Sequence, residues 1–268
     1  MRRATIATMI VQPIATRCMQ PPQDDLLAAM EDAAPPLQEG DCLAVSSKVV
    51  SIWEGRCVAA QPQGTQQRDM LAKQEARAWI ERGEVPGQHA LWTLTQGNLI
   101  GSAGIDASNA DGHFILWPQD PHASAARIRA WCCKRYAITQ LAVLITDSHS
   151  KPLRRGVVGL ALGWAGFDPL VDHTQATDLF GRTFASEHTN LADALAASAV
   201  LVMGETNERT PLAVLRDVPY LAAQLGKQGA HEPPYTLTPE EDIFAPFWRS
   251  APWKQGAGDR DRGVGERC

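Results

Sequence analysis

Runs and alternations of apolar residues set out a mixed series of elements. The stretch DCLAVSSKVVSIW, from Asp41, begins as a strand and reaches a Ser-Ser-Lys step flanked by β-branched residues. Between 66 and 82 the spacing predicts a helix, with Ala72, Ala76, Trp79 and Ile80 on one side and Gly83 as its stop. WTLT and LIGS, either side of Gln96-Gly97-Asn98, predict two short strands and a turn. Asp120 followed by Pro121 is a helix start, an oxygen cap and then a residue lacking the orphan N–H. That helix places Ile128, Trp131, Cys132 and Tyr136 on one face. LAVLIT (141–146) is a continuous apolar run of strand length, as in a strand buried on both sides. Residues 156–166 are apolar but broken by Gly156, Gly159, Gly163 and Gly166, which predicts a strand closely approached by other backbone. A helix is expected from an Asn190 cap, with Asp193 in its first turn, to Met203 and Gly204, and LAVLR (212–216) as a further strand. Strands and helices do not alternate regularly, so the pattern favours an α+β fold with mixed sheets and packed helices.

Composition narrows the class. A chain of 268 residues with 44% hydrophobic and 21% charged residues suits a soluble globular protein of one large or two small domains. A net charge of -5 gives no basic face for nucleic acid. The apolar runs are too short for a membrane span, and the start of the chain carries no secretion signal, so a cytoplasmic location is expected. The six cysteines are scattered without a C-x-x-C pair and read as reduced thiols. A catalytic domain is drawn over 1–225. From Gly226 the chain is rich in Gly, Pro and charge and is expected to be largely mobile, with Phe244, Phe247, Trp248 and Trp253 as candidate anchors.

Neither G-x-x-x-x-G-K-[ST] nor G-x-G-x-x-G occurs. Four polar constellations stand instead at the ends of apolar runs. Ser46-Ser47-Lys48 offers two hydroxyls and an ammonium to a phosphate, or is an ordinary strand terminus. In GIDASN (104–109), Asp106 and Asn109 offer oxygen to a hard cation, or Asp106 forms an Asx turn. Asp147-Ser148 follows the buried strand and precedes Lys151, Arg154 and Arg155, a combination suited to a metal–phosphate site. MGETNERTP (203–211) adds Glu205 and Glu208, or is a plain acidic loop.

In this order, GDCLAVSSKVVSIWEGR, SAGIDASN, the stretch 118–129, TDSHSKPLRRGVVGLALG, DLFGR and ADALAASAVLVMGE resemble the coenzyme F420-0:L-glutamate ligase family over roughly residues 7–216. The resemblance implies an α+β fold that forms an intertwined homodimer, and an enzyme that joins L-glutamate to a small-molecule acceptor. It implies GTP as co-substrate, Mg²⁺ or Mn²⁺, and K⁺ as a further ion. Carried over by motif, Asp106, Asp147, Ser148 and Glu205 are metal ligands. Ser46, Ser47, Lys48, Asn109 and the loop 204–210 (Gly204, Thr206, Asn207 and Glu208 among them) contact the nucleotide. Lys48 and Arg155 are candidates to offset charge during catalysis. The sequence departs from the family's Asp-Thr-Phe-Gly-Arg-Pro-Trp-Arg at Asp147-Ser148-His149-Ser150-Lys151-Pro152-Leu153-Arg154. Here it resembles a branch labelled as folate-metabolism γ-glutamate ligases, which leaves the acceptor open between a deazaflavin and a folate-like pterin. A non-catalytic nucleotide- or metal-binding relative is the alternative from another class.

Overall fold

The computed structural model describes residues 8–88, 90–227 and 235–255. In chain order these form β1 (Ile10–Ile14), α1 (Leu26–Ala33), β2 (Cys42–Ser46), α2 (Ser47–Trp53), β3 (Cys57–Ala59), α3 (Gly64–Glu75), β4 (Ala78–Ile80), β5 (Trp92–Thr95), β6 (Asn98–Gly101) and β7 (His113–Ile115). They continue with α4 (Pro121–Tyr136), β8 (Ala142–Ser150), β9 (Val157–Ala165), β10 (Leu170–Asp172), β11 (His188–Asn190), α5 (Leu191–Met203), β12 (Leu212–Arg216), α6 (Leu221–Gln224), α7 (Ala245–Ser250) and β13 (Lys254–Gln255). The elements are of α+β class. Contacts sort the chain into two interleaved units, one drawn from 1–19, 24–53 and 118–235 and the other from 20–23, 54–117 and 236–268. This division cuts across the compositional boundary at 225. The regions 1–7, 228–234 and 256–268, and the expectations made for them, lie outside the described residues.

The first unit is built on a five-stranded sheet in the order β1-β12-β2-β8-β9, in which only β2 and β8 run parallel. Cys42, Ala44, Ala142, Leu144, Ala213 and Leu215 share one core with Leu191, Leu195, Ala196 and Ala199 of α5. The intervening Leu43, Val45, Val143 and Ile145 belong to the opposite face and are also fully buried. A strand covered on both faces cannot alternate with polar residues, which is why LAVLIT reads as an unbroken apolar run. Burial of each such side chain contributes roughly 1.5–3 kcal/mol.

A bulge turns the sheet's faces to use. Ile145 pairs with Gly163 and Thr146 with Ala161, so Leu162 is the extra residue in β9. Gly159 consequently lies under the backbone of Ala196 in α5, and Gly163 lies under Pro121 at the start of α4. A Cβ at either position would collide with backbone, so the glycines let helices close on both faces of the same strand. Caps fix the ends of both helices. Asp120 accepts from Ala123 N at α4, and Asn190 accepts from Asp193 N at α5.

At the end of the sheet where β2 begins, Arg216 Nε and Nη2 donate to Asp41 Oδ1 and Oδ2 at 2.8 and 2.7 Å. Asp41 is 1% exposed and also accepts from Gln38 N. This pair fastens the last residue of β12 to the residue before β2 and so holds the β2–β12 register.

The second unit contains the antiparallel sheet β13-β4-β5-β6, the pair β3-β7, and α3. Its core gathers Ala72, Leu91, Ala103, Ile105, Phe114 and Leu116. The predicted helix over 66–82 is corrected here. α3 starts at Gly64 and stops at Glu75, Ala76 is extended, and Trp79 and Ile80 are in strand β4, paired with Thr93 and Trp92. Ladder bonds to β5 outweigh a helical spacing that was accidental beyond Ala76, and Gly83 sits in a separate turn. The C-terminal segment is seated through β13 on β4 rather than through all four named aromatic residues. Phe247 is 67% exposed, while Trp248 Nε1 and Trp253 Nε1 are satisfied by Asp242 and by Trp248 O. Lys254, Lys73 and Trp79 Nε1 all donate to Glu81 Oε1, and the Trp79 and lysine hydrogen bonds hold the Glu81 carboxyl down at about 2.

Two outcomes follow. Arg216→Met strands a buried carboxylate and should lower stability by about 2–3 kcal/mol, the guanidinium's partial exposure keeping the loss modest; urea unfolding measures it. Because the folded carboxyl of Glu81 titrates below its unfolded value, its contribution is present above the unfolded value and is lost as pH falls toward 2. Thermal melts of Glu81→Gln between pH 6 and pH 2 should therefore show a shallower acid-side loss than the parent chain.

Candidate active site

Within the first unit, four stretches meet. β2 runs parallel to β8 with Ser46 opposite Thr146, so the Ser-Ser-Lys step leaves β2 where β8 runs on; Asp147 and Ser148, expected to follow the strand, lie within it, paired with Leu160 and Gly159 of β9. β12 begins beside them, with Leu212 opposite Val45, and Ser46 N donates to Pro211 O at 2.9 Å. β1 closes the row, since Ile14 pairs with Leu212 and Thr16 N donates to Arg209 O at 3.0 Å. Carboxyl ends of parallel strands leave backbone and side chains directed out of a finished sheet, a place where ligands are commonly held.

The side chains there are oxygen-rich. Ser148 Oγ lies 3.2 Å from Glu205 Oε2, and Asp147 Oδ1 accepts from Ser148 N at 2.8 Å. Ser46 and Ser47 have no hydrogen-bond partner for their hydroxyls among the described residues, although Ser47 is only 4% exposed. Lys48, half-buried in the first turn of α2, supplies a cation at the same end. That helix forms from Ser47 despite Val49, Val50 and Ile52, because those side chains are buried and their packing overrides a weak intrinsic propensity.

The loop 204–210 holds its own shape. Thr206 N and Oγ1 donate to Glu208 at 2.8 and 2.9 Å, and Glu208's own backbone N–H together with these bonds keeps its carboxyl below the ordinary range. Gly204 adopts φ +80, and a Cβ there would strike the Glu208 carboxyl. Thr210 Oγ1 donates to Met203 O, tying the loop to the end of α5. Asn207 is exposed beside Thr206, and Arg155 is exposed in the β8–β9 connection, past the Ser150–Val157 pair that ends the ladder.

Asp106 and Asn109 belong to the second unit. Asp106 is pinned on both sides by a bridge to Ile115, and its carboxylate accepts from Ser108 N at 2.7 Å and Ser108 Oγ at 3.0 Å. This is the Asx turn foreseen as the alternative, and it leaves the carboxylate half-buried at the turn. Asn109 is exposed with φ 52. Sequence reasoning passed over Arg68 of α3, whose Nη2 donates to Ile105 O at 2.6 Å while Nε is buried without a partner. Burial depresses the guanidinium's pKa, and the attraction of Asp106 is the largest opposing influence. Such an unpaired buried N–H costs about 1–3 kcal/mol. Pro211, whose carbonyl receives Ser46 N, was also unmarked, because no residue type signals a backbone acceptor.

Among the described residues no three His, Cys, Asp or Glu side chains form a group able to hold a metal ion. Asp147, Ser148 and Glu205 nonetheless offer oxygen alone. Mg²⁺ is usually held by one or two carboxylates, with substrate phosphate and water filling the remaining positions. The donor set therefore fits a hard divalent cation that arrives with a phosphate, and not an all-protein cage.

Hydroxyls, a lysine, carboxylates and a glycine-started loop, groups whose chemistry suits phosphate, stand at this row. The family model of the F420-0:gamma-glutamyl ligases matches residues 14–217. The coenzyme F420:L-glutamate ligase of Methanopyrus kandleri is 31% identical over 255 residues, covering 89% of this chain and 98% of that protein. That of Methanothermobacter thermautotrophicus is 30% identical over 82% of this chain and 90% of its own length, and that of Halorubrum lacusprofundi 37% over 72% and 81%. The chain belongs to the F420-0:gamma-glutamyl ligase family.

Gly204→Ala should open the loop without disturbing the sheet. Trypsin cleavage after the exposed Arg209 is expected to accelerate several-fold while the thermal midpoint moves by less than about 2 °C.

Proposed function

We propose that this chain is a GTP-dependent ligase that joins L-glutamate to an acceptor carboxylate, the acceptor being coenzyme F420-0 or a close relative. Membership of the family and the names of its relatives support the glutamate-ligase chemistry. The observation that carries the reading at residue level is the Ser148–Glu205 contact beside Asp147, at the same strand-end row as Ser46, Ser47 and Lys48.

A carboxylate resists amines because oxide is a poor leaving group. In the proposed reaction an acceptor carboxylate oxygen attacks the γ-phosphorus of GTP, the bond to the β-phosphate oxygen breaks, and GDP leaves an acyl phosphate. The α-amino nitrogen of L-glutamate then attacks the acyl carbon, inorganic phosphate departs with the bonding pair, and the nitrogen loses a proton as the amide forms. Phosphoryl transfer of this kind asks the protein mainly for position and charge. Asp147, Ser148 and Glu205 would hold Mg²⁺ or Mn²⁺, which neutralises charge building on phosphate oxygens, and Asp106 is the metal-ligand candidate of the second unit. Ser46 and Ser47 have hydroxyls to give to phosphate oxygens, and Lys48 is a cation at that end of the sheet. The loop 204–210 presents backbone and Thr206, Asn207 and Glu208 to the nucleotide, and Asn109 is the second unit's candidate for a nucleotide contact. Arg155, exposed in the β8–β9 connection, is with Lys48 the candidate to offset charge during phosphoryl transfer. A cytoplasmic homodimer and a K⁺ requirement belong to the same reading. Among the described residues no helix is long and apolar enough to cross a membrane.

The departures at His149, Ser150, Lys151 and Leu153 favour a second reading of the acceptor alone, as a folate-like pterin carrying the same carboxylate chemistry. Purified protein incubated with GTP, Mn²⁺, L-glutamate and either acceptor should yield a product one glutamate heavier by mass spectrometry. Asp147→Asn should reduce that product by at least about 10³-fold. Near-normal turnover in this variant would sink the proposal, and GTP binding without phosphate release across both acceptors would identify a non-catalytic relative.

A further inference from the structure

The turn that leads into Asp106 is strained and heavily fastened. Ser102 and Ala103 have φ 49 and 53, and Gly104 has φ 69, three left-handed residues in a row of which two carry a Cβ. Trp117 fills the space where a Cβ on Gly104 would stand. Such a path persists only when its surroundings over-determine it, and they do. Ser102 N donates to Leu91 O at 2.8 Å, Ala103 N to Thr93 Oγ1 at 2.9 Å and Ile105 N to Ser102 O at 3.0 Å. Asp106 N and O are both bonded to Ile115.

Arg68 adds a contact of another kind. Its Nη2 holds Ile105 O, the carbonyl next to Asp106, yet its Nε stays buried with no partner. One carbonyl needs one donor, so fastening the turn does not by itself require a guanidinium. Of the charges around it, Arg82 is taken up by a two-point pair with Asp69, and Arg68 lies within the attraction of the Asp106 and Asp69 carboxylates.

We propose that Arg68 is a positioning residue for Asp106, holding the strained turn through Ile105 O so that this carboxylate is presented to the divalent metal in one orientation. The inference rests on the reading of Asp106 as a metal ligand, and the experiment separates the two. Mn²⁺ is titrated into the full-length protein with a non-hydrolysable GTP analogue present, and free Mn²⁺ is followed by electron paramagnetic resonance. Asp106→Asn tests the ligand reading: unchanged Mn²⁺ affinity in this variant overturns that reading and the inference with it. Arg68→Met should weaken Mn²⁺ by about 10-fold or more, as for other residues that orient metal ligands. Analogue affinity at saturating Mn²⁺ should change much less. Arg68→Lys, which keeps a donor for Ile105 O and a charge but not the planar group, should recover part of the loss and carries the measurement if Arg68→Met fails to fold. Weakened Mn²⁺ in Asp106→Asn with parental affinity in both Arg68 variants overturns the positioning role.

Discussion

Parallel hydrogen bonding between β2 and β8, with Ser46 set opposite Thr146, brings together residues a hundred positions apart in the chain. A slip of one residue would turn every side chain of β8 to the other face and bury Asp147 where Thr146 now sits. Both faces of these strands are covered, so such a slip would expose apolar residues and bury charge at once. The register is therefore among the least negotiable features of the first unit, and the polar row at its end inherits that precision. β12 then adds the 204–210 loop to the row, held by the Ser46–Pro211 and Thr16–Arg209 backbone bonds.

A closed ion pair and an open polar row lie at opposite ends of β2. Where β2 begins, Asp41 and Arg216 form a bidentate pair whose charges are mutually satisfied. Where β2 ends, hydroxyls of Ser46 and Ser47 are left unpaired among the described residues, Asp147 accepts from Ser148 N, and Glu205 accepts from the Ser148 hydroxyl. Groups left unpaired in this way cost stability and are tolerated where a ligand completes them. The bulge at Leu162 serves the same plan, because it lets α5 close over Gly159 and deliver Gly204 and Glu205 to the row while α4 closes over Gly163 on the other face.

Much of this was legible in the residues. The buried strand 141–146, the Asp120-Pro121 start of α4 and the Asn190 cap of α5 follow from local chemistry that acts within a few residues. Asp147, Ser148 and Glu205 were marked by lying at the ends of apolar runs, and the structure puts Ser148 against Glu205. Other features were not legible. Helical spacing ran on past Ala76 although Trp79 and Ile80 pair with β5, and the β-branched Val49 and Val50 lie in a helix. Arg68 carried no signal, since an arginine on a helix is ordinarily solvated and its role depends on where Ile105 O lies.

By itself, then, the chain determined which segments are strands or helices where capping and burial agree, and which residue types could meet a cation or a phosphate. Order along the chain also tied those residues to a family. Only the tertiary structure decided which of them stand together: Ser46 with Thr146, Ser148 with Glu205, Arg68 with the Asp106 turn. Those meetings depend on register, on a single extra residue in β9 and on backbone bonds between distant segments. None of these has a local signature, because backbone N–H and C=O groups are the same at every position.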